Sequence, residues 1–293
     1  MKKKFIILFA ALASIVSANA QIFYKVSGNG LEKPSYIFGT HHLAPHSVVD
    51  SIPSVKSALS EVDQVVGEID MTKGQMAIAA ALQPFMMAPA DSTLRDLIAP
   101  GDFDRISKVF SQYAPAPGIT LEAMSMMRPM VASAIVSIGI ISKSMPGYNP
   151  NEQLDMFFQT EAKNNNKNVI GLETPEMQGK LLYTTTPLTK QASDLVELLD
   201  NPAKIVESGN RLNQAYLTQN LDEMTELSEK DDSDPKFMEA LLDKRNADWL
   251  TKLPEIMRTG SSFIAVGALH LPGESGLVEG LRKKGYSVEA IRK

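Results

Sequence analysis

Four histidines are all the imidazole this chain has, and they fall in two short stretches near opposite ends of its 293 residues. Tyr36-Ile-Phe-Gly-Thr-His-His42 holds two of them, with His46 just beyond, and Phe263-Ile-Ala-Val-Gly-Ala-Leu-His270 holds the fourth. Both stretches read as an apolar strand followed by Gly-x-x-His. The repetition implies that the two ends of the sequence meet at one site, faced by His42 and His270. Two carboxylates share the same context: Val65-Val-Gly-Glu68 and Val169-Ile-Gly-Leu-Glu173 each set an acid at or just past a strand end, where the ligands of open α/β sheets gather. If the four strands lie parallel and side by side, His42, Glu68, Glu173 and His270 converge on one edge. The glycines would let backbone and ligand approach closely there.

Two imidazoles with one or two carboxylates suit a divalent metal that keeps one position open for water. Such a metal lowers the pKa of its water toward about 7, and a neighbouring carboxylate can take the proton during attack on a carbonyl. The reaction class would be metal-assisted hydrolysis. Each residue also has a plainer reading. A histidine after a strand can simply hydrogen-bond backbone in a core; for His42 and His270 the duplication favours a site. His41 would point away from His42 on a continuing strand and so reads as a supporting residue, while His46, beside Pro45, reads as exposed loop. Glu68 and Asp70 could cap a strand end, and Glu173, ahead of Thr174-Pro175-Glu176, could serve a helix N-terminus, where acids suit the dipole. Arg245, in Leu241-Leu-Asp-Lys-Arg-Asn-Ala-Asp-Trp249, could clamp a substrate carboxylate or orient Glu173 through a bidentate contact. The alternative is an exposed helix charge.

The elements that must position these groups follow from hydrophobic pattern. Short runs of β-branched and aromatic residues with a nearby glycine predict buried strands over 36–38, 64–69, 168–172 and 263–266. Helical patterns occupy 53–62, 74–87, 92–98, 103–113, 121–142, 151–164 and most of 189–257. Helices and strands interleave only near the two ends. The expected fold is therefore α/β (α+β), a mixed sheet built from the N- and C-terminal segments, with a large helical middle contributed as an insertion over about residues 73–165 of a single domain. The run 121–142 is apolar, but Arg128 and Pro129 interrupt it and the uninterrupted portion is shorter than about 18 residues, so it reads as a buried helix. The acidic run 222–235 reads as a helix end and a solvated loop. Methionine is plentiful, 15 residues with ten of them between Met71 and Met156; their helical spacing suits core packing, and a groove for varied apolar partners is the other reading.

Lys2, Lys3 and Lys4, the apolar run 5–16 and Ser17-Ala-Asn-Ala20 have the pattern of a cleaved signal peptide over residues 1–20. A mature chain of 21–293, exported to a periplasm or secreted, is expected, with no stable membrane span after cleavage. Cysteine is absent, which excludes disulfides, thiolate metal sites and cysteine nucleophiles, so any metal is held by nitrogen and oxygen. Removing three lysines from 29 basic residues leaves 26 against 34 acidic ones, a net charge of −8. Nucleic acid is thereby disfavoured as a partner, and a peptide or small-molecule substrate is expected.

On these motifs the chain resembles the TraB/GumN family, which includes the TIKI and PrgY-type pheromone-shutdown proteins. The resemblance rests on Tyr36 to His42, Glu68-Ile-Asp70, Gly171-Leu-Glu-Thr174 with Gln178, Arg245-Asn246 with Trp249, Val266-Gly-Ala-Leu-His-Leu-Pro-Gly273, Gly276-Leu-Val278 and Gly285-Tyr-Ser-Val288. It covers nearly the whole mature chain. It implies a fold similar to the erythromycin-esterase and ChaN group and, through the TIKI branch, a metal-dependent protease using manganese or cobalt, with zinc as a further option. The matched positions are His42 and His270, with Glu68 as their acidic partner; Glu173 is then a candidate base, and Arg245 matches a further family position. The residue before the first motif histidine is commonly apolar in the family and is His41 here, which leaves open which imidazole faces inward. The function expected is an exported metal-dependent hydrolase, a peptidase above all. The alternative is a non-catalytic protein that binds or sequesters a peptide or small ligand, and a weaker third is an accessory role in exported polysaccharide metabolism.

Overall fold

A computed structural model describes residues 21–230 and 234–291; the expected leader, residues 1–20, lies outside the described residues. The strands β1 (Phe23–Ser27), β2 (Ser35–Thr40), β3 (Gln64–Gly67), β4 (Asn168–Gly171), β5 (Ser262–Gly267) and β6 (Ser287–Ala290) form one mixed sheet in the order β4-β3-β5-β2-β1-β6. β2, β5, β3 and β4 are mutually parallel, and β1 is antiparallel to both β2 and β6. The parallel four are the strands marked in the sequence, to within two residues at each end. Because they run the same way, the segments that leave their C-terminal ends, at His41, Glu68, Leu172 and Ala268, emerge on one edge.

β1 and β6 are not among the expected strands. β6 is a short edge strand in which only Val288 is buried, so it has no apolar run to announce it, and β1 is interrupted by the partly exposed Lys25. The expected helix over 121–142 is shorter in fact. It spans Pro129–Ser144, with Pro129 in its first turn, because proline lacks the N–H that an interior position needs but is tolerated at a helix start. Arg128 instead donates its backbone N–H to Met86 O. Among the described residues no helix is long and apolar enough to cross a membrane.

One hydrophobic core lies on the sheet and a second binds the helices of the middle region. In the first, the ring of Phe158, from the helix Leu154–Asn164, packs 5.1 Å from Phe38 on β2 and 4.7 Å from Phe263 on β5. That contact fixes the helix across the sheet, and residues three and four apart share a helix face. Asp155 and Gln159 are therefore carried along with Phe158 to the edge where the parallel strands end. In the second core Phe103, Ile106, Phe110, Val136 and Ile140 meet Leu195 and Leu199, so the helical layer continues past residue 165 into the helix Leu188–Asp200.

Phe158→Ala removes a fully buried ring from the centre of the sheet core. A loss of about 3–5 kcal/mol is expected, read from the midpoint of urea unfolding. A cost below ~1 kcal/mol would show that this helix is not anchored through Phe158.

Candidate functional site

At the strand ends a cavity of about 380 Å³ opens, lined by His41, His42, Glu68, Asp155, Gln178, Arg245 and His270 together with apolar side chains. Three strand ends and one helix build its inner wall. Glu68 follows β3, Glu173 follows β4, and His270 ends the short turn after β5. The helix Lys244–Thr259 carries Arg245, Asn246 and Trp249, whose spacing of one, three and four residues puts all three on the side facing the strands.

Arg245 joins these groups. Its Nε donates to Glu173 Oε1 at 2.8 Å, and Nη2 donates to Glu173 Oε2 at 3.0 Å and to Glu68 Oε2 at 2.6 Å. Nη1 donates to Leu241 O at 3.2 Å and to His270 Nε2 at 3.0 Å. Five N–H groups thus have five acceptors, which is the full capacity of a guanidinium. The Leu241 carbonyl belongs to a π-helical turn, Glu239–Asp243, that runs directly into the arginine's helix; such turns recur at functional sites. Glu173 is equally committed, since Oε1 also accepts from Trp249 Nε1 at 3.0 Å. Of the two readings open for Arg245, orienting Glu173 is the one the geometry shows, and no N–H remains for a substrate carboxylate.

His270 is buried beside Trp249, with ring centroids 4.4 Å apart. Its Nδ1 lies 2.7 Å from Asn246 Oδ1. An arginine N–H can only donate, so Nε2 is the acceptor and Nδ1 carries the proton, which it gives to Asn246. Burial holds this imidazole neutral, with its pKa brought down to about 4. Glu68 behaves oppositely. Burial alone would raise its carboxyl, but Arg245, the neighbouring His270 and the Gly267 N–H, which donates to Oε1 at 2.9 Å, bring it down to about 2. Gln178 donates to Oε2 at 3.1 Å. The two motif glycines serve close approach, though to neighbouring protein groups. A Cβ at Gly39 would stand 2.9 Å from Ala268 Cα, and one at Gly267 would stand 3.3 Å from Glu68 Oε1.

The remaining histidines separate. His42 stands at the mouth with 72% of its side chain exposed, its Nδ1 3.7 Å from Asp155 Oδ2. His41 is more deeply placed, its ring 5.2 Å from that of Tyr216, and its buried Nε2 has no hydrogen-bond partner; burial takes its pKa down to about 4. Both imidazoles therefore line the cavity. His46 stays outside it, stacked on Phe157 at 5.2 Å, and Asp70 is a cap that accepts from Thr72 N at 3.0 Å. Asp155 is the site residue that sequence reasoning missed. It lies in the first turn of its helix, where an acid reads as a complement to the helix dipole, with neither a glycine motif nor a strand end beside it.

The expected metal set of His42, Glu68 and His270 does not assemble in this arrangement. Glu68 Oε1 and His270 Nε2 are 3.8 Å apart, but Arg245 holds the lone pair of that Nε2, and His42 faces Asp155 instead. No group of three or more His, Asp or Glu side chains able to hold a metal ion is found among the described residues. A divalent ion does not fit these residues while Arg245 occupies the place between them.

The model of the TraB/PrgY/gumN family matches residues 22–290. An uncharacterised protein YbaP of Shigella flexneri is 23% identical over 85% of this chain and 88% of its own length. A metalloprotease TIKI homolog of Amphimedon queenslandica is 23% identical over 96% of this chain and 66% of its own, so the chain spans just under two thirds of that relative. No solved structure matches the chain.

The buried imidazoles give an acid-sensitive fold. The ordinary histidine pKa of 6.5 falls to about 4 in the folded chain for both His41 and His270, so between these values the unfolded chain binds more protons. Stability is then full above about pH 6.5 and is lost as pH falls toward 4, by about 2–3 kcal/mol per imidazole at about pH 4.5. Urea unfolding near pH 7 and near pH 4.5 should show a smaller drop for His41→Gln than for the parent. Equal drops would mean that His41 is not held neutral.

Proposed function

Because the chain belongs to the TraB/PrgY/gumN family, we propose that it is an exported hydrolase that opens acyl bonds, those of peptides first, in the cavity at the strand ends. The observation that carries this reading is the convergence of His42, Glu68, Arg245 and His270 on one cavity from segments spread over more than 200 residues of sequence. The metalloprotease name of the TIKI homolog supports the peptide as substrate, and the leader pattern of residues 1–20 supports export.

The groups divide by availability. Arg245, Glu173 and His270 are consumed by one another and form a rigid inner wall. His42 is the exposed imidazole outside that network, placed to take a proton from an attacking water and to return it to the leaving amine or alcohol. Glu68, ionised with a pKa of about 2, cannot deliver a proton near neutrality; its oxygens are held by Arg245, Gln178 and the Gly267 N–H, so it belongs to the inner wall. Gln178 has one amide N–H beyond the one given to Glu68 and can turn it toward a carbonyl oxygen. Ile69, Leu181, Leu182, Leu212, Leu241 and Leu242 line the cavity with apolar surface, which seats an apolar side chain next to the bond attacked.

One observation favours a second reading, a protein that sequesters its ligand uncut: Arg245, Glu68 and Glu173 satisfy one another's charges, and much of the remaining cavity lining is apolar. The two readings part on His42. Hydrolysis predicts that His42→Ala lowers turnover of a fluorogenic peptide library by about 10²–10⁴-fold with binding retained. Running the assay with and without manganese, cobalt or zinc shows whether an added ion is needed. Peptides bound equally by parent and variant but cut by neither would leave the sequestering protein.

A further inference from the structure

Asp155 reaches the cavity from the helix Leu154–Asn164, on the turn that also places Phe158 in the core. Its Oδ1 accepts from Thr40 Oγ1 at 2.8 Å. Thr40 ends β2, so this bond ties the carboxylate to the strand that leads into His41 and His42. The second oxygen, Oδ2, is buried and makes no hydrogen bond. The cation-forming group nearest to it is His42 Nδ1, at 3.7 Å. An unpaired buried carboxylate oxygen costs free energy, and here the group that can relieve it is the exposed imidazole that Arg245 leaves free.

We propose that Asp155 is the positioning residue of His42, accepting the proton on Nδ1 and so leaving the Nε2 lone pair directed to the cavity. A base oriented by a third group is the arrangement that activated nucleophiles generally require, and such contacts are often longer before substrate binds than in the reacting complex. Thr40 decides which oxygen faces the ring. Burial pushes the Asp155 carboxyl up, and His42 opposes that shift while Glu68 adds to it; closing the 3.7 Å gap strengthens the attraction that opposes burial. Among the groups around the ring, His41 and Glu68 have other surroundings, Tyr216 for the one and Arg245 for the other. Neither competes for Nδ1.

The consequence for the reaction rests on the hydrolase reading, but the consequence for the ring does not. In Asp155→Asn the amide oxygen takes over the Thr40 contact, and the NH₂ then faces His42, donating where a carboxylate accepted. The expected result, read from ¹⁵N shifts of labelled histidine rings at pH 8, is an Nδ1–H ring at His42 in the parent and an Nε2–H ring in Asp155→Asn. If the parent is a hydrolase, its turnover falls by about 10²-fold or more in that variant with little change in KM. An Nε2–H ring in the parent overturns the proposal without any variant, as does the same tautomer in parent and Asp155→Asn. A tautomer that flips in a chain that cuts no peptide upholds the role of Asp155 and removes the hydrolase instead.

Discussion

A single buried guanidinium holds this site together. Arg245 is 9% exposed and satisfies Glu173, which is 4% exposed, and Glu68, at 22%, while also closing the ring nitrogen of His270. Charges taken out of water cost several kcal/mol each, and their attraction repays that only when geometry is good and the remaining donors and acceptors are filled. Here they are filled: no N–H of Arg245 is left over, and Trp249 closes Glu173. The arginine therefore ties the ends of β3, β4 and β5 to one helix. Its contribution is to fix relative position, which a purely apolar contact would leave less defined.

From that constraint the division of labour follows. Groups held by Arg245 have their proton positions settled, with His270 neutral through Nδ1–H and Glu68 ionised. Groups beyond its reach, His42 and Asp155, keep unused capacity and line the same cavity. The inner wall is a scaffold, and the chemistry that remains free lies toward the mouth. Gly39 and Gly267 keep the scaffold compact, because a Cβ at either would press on backbone or on the Glu68 carboxylate.

Much of this was legible in the sequence, and the exceptions have physical causes. The strands β2 to β5 announce themselves as apolar runs with a glycine at or near the end; β2, β3 and β5 are buried almost throughout, and strands covered on both faces need no polar alternation. His42, Glu68, Glu173 and His270 could be placed on one edge because parallel strands end together. Asp155 could not be foreseen. It sits in a helical pattern, and its partner Thr40 is 115 residues away. β6 was hidden because only Val288 of that edge strand is buried, β1 because Lys25 interrupts its apolar run, and Pro129 marks a helix start where apolar character alone suggests an interior. Nor does the sequence distinguish a ligand-binding arginine from a saturated one; Arg245-Asn246 with Trp249 becomes intelligible only when every N–H is counted.

The measurement that tests this account most directly is a double-mutant cycle on Arg245 and Glu173. Unfolding free energies are measured for Arg245→Met, Glu173→Gln and the pair. The account predicts about 3–5 kcal/mol for Arg245→Met, which strands two carboxylates, and a pair far less destabilised than the sum of the single changes. Additive costs, or a near-neutral Arg245→Met, would contradict the claim that this guanidinium holds the site together.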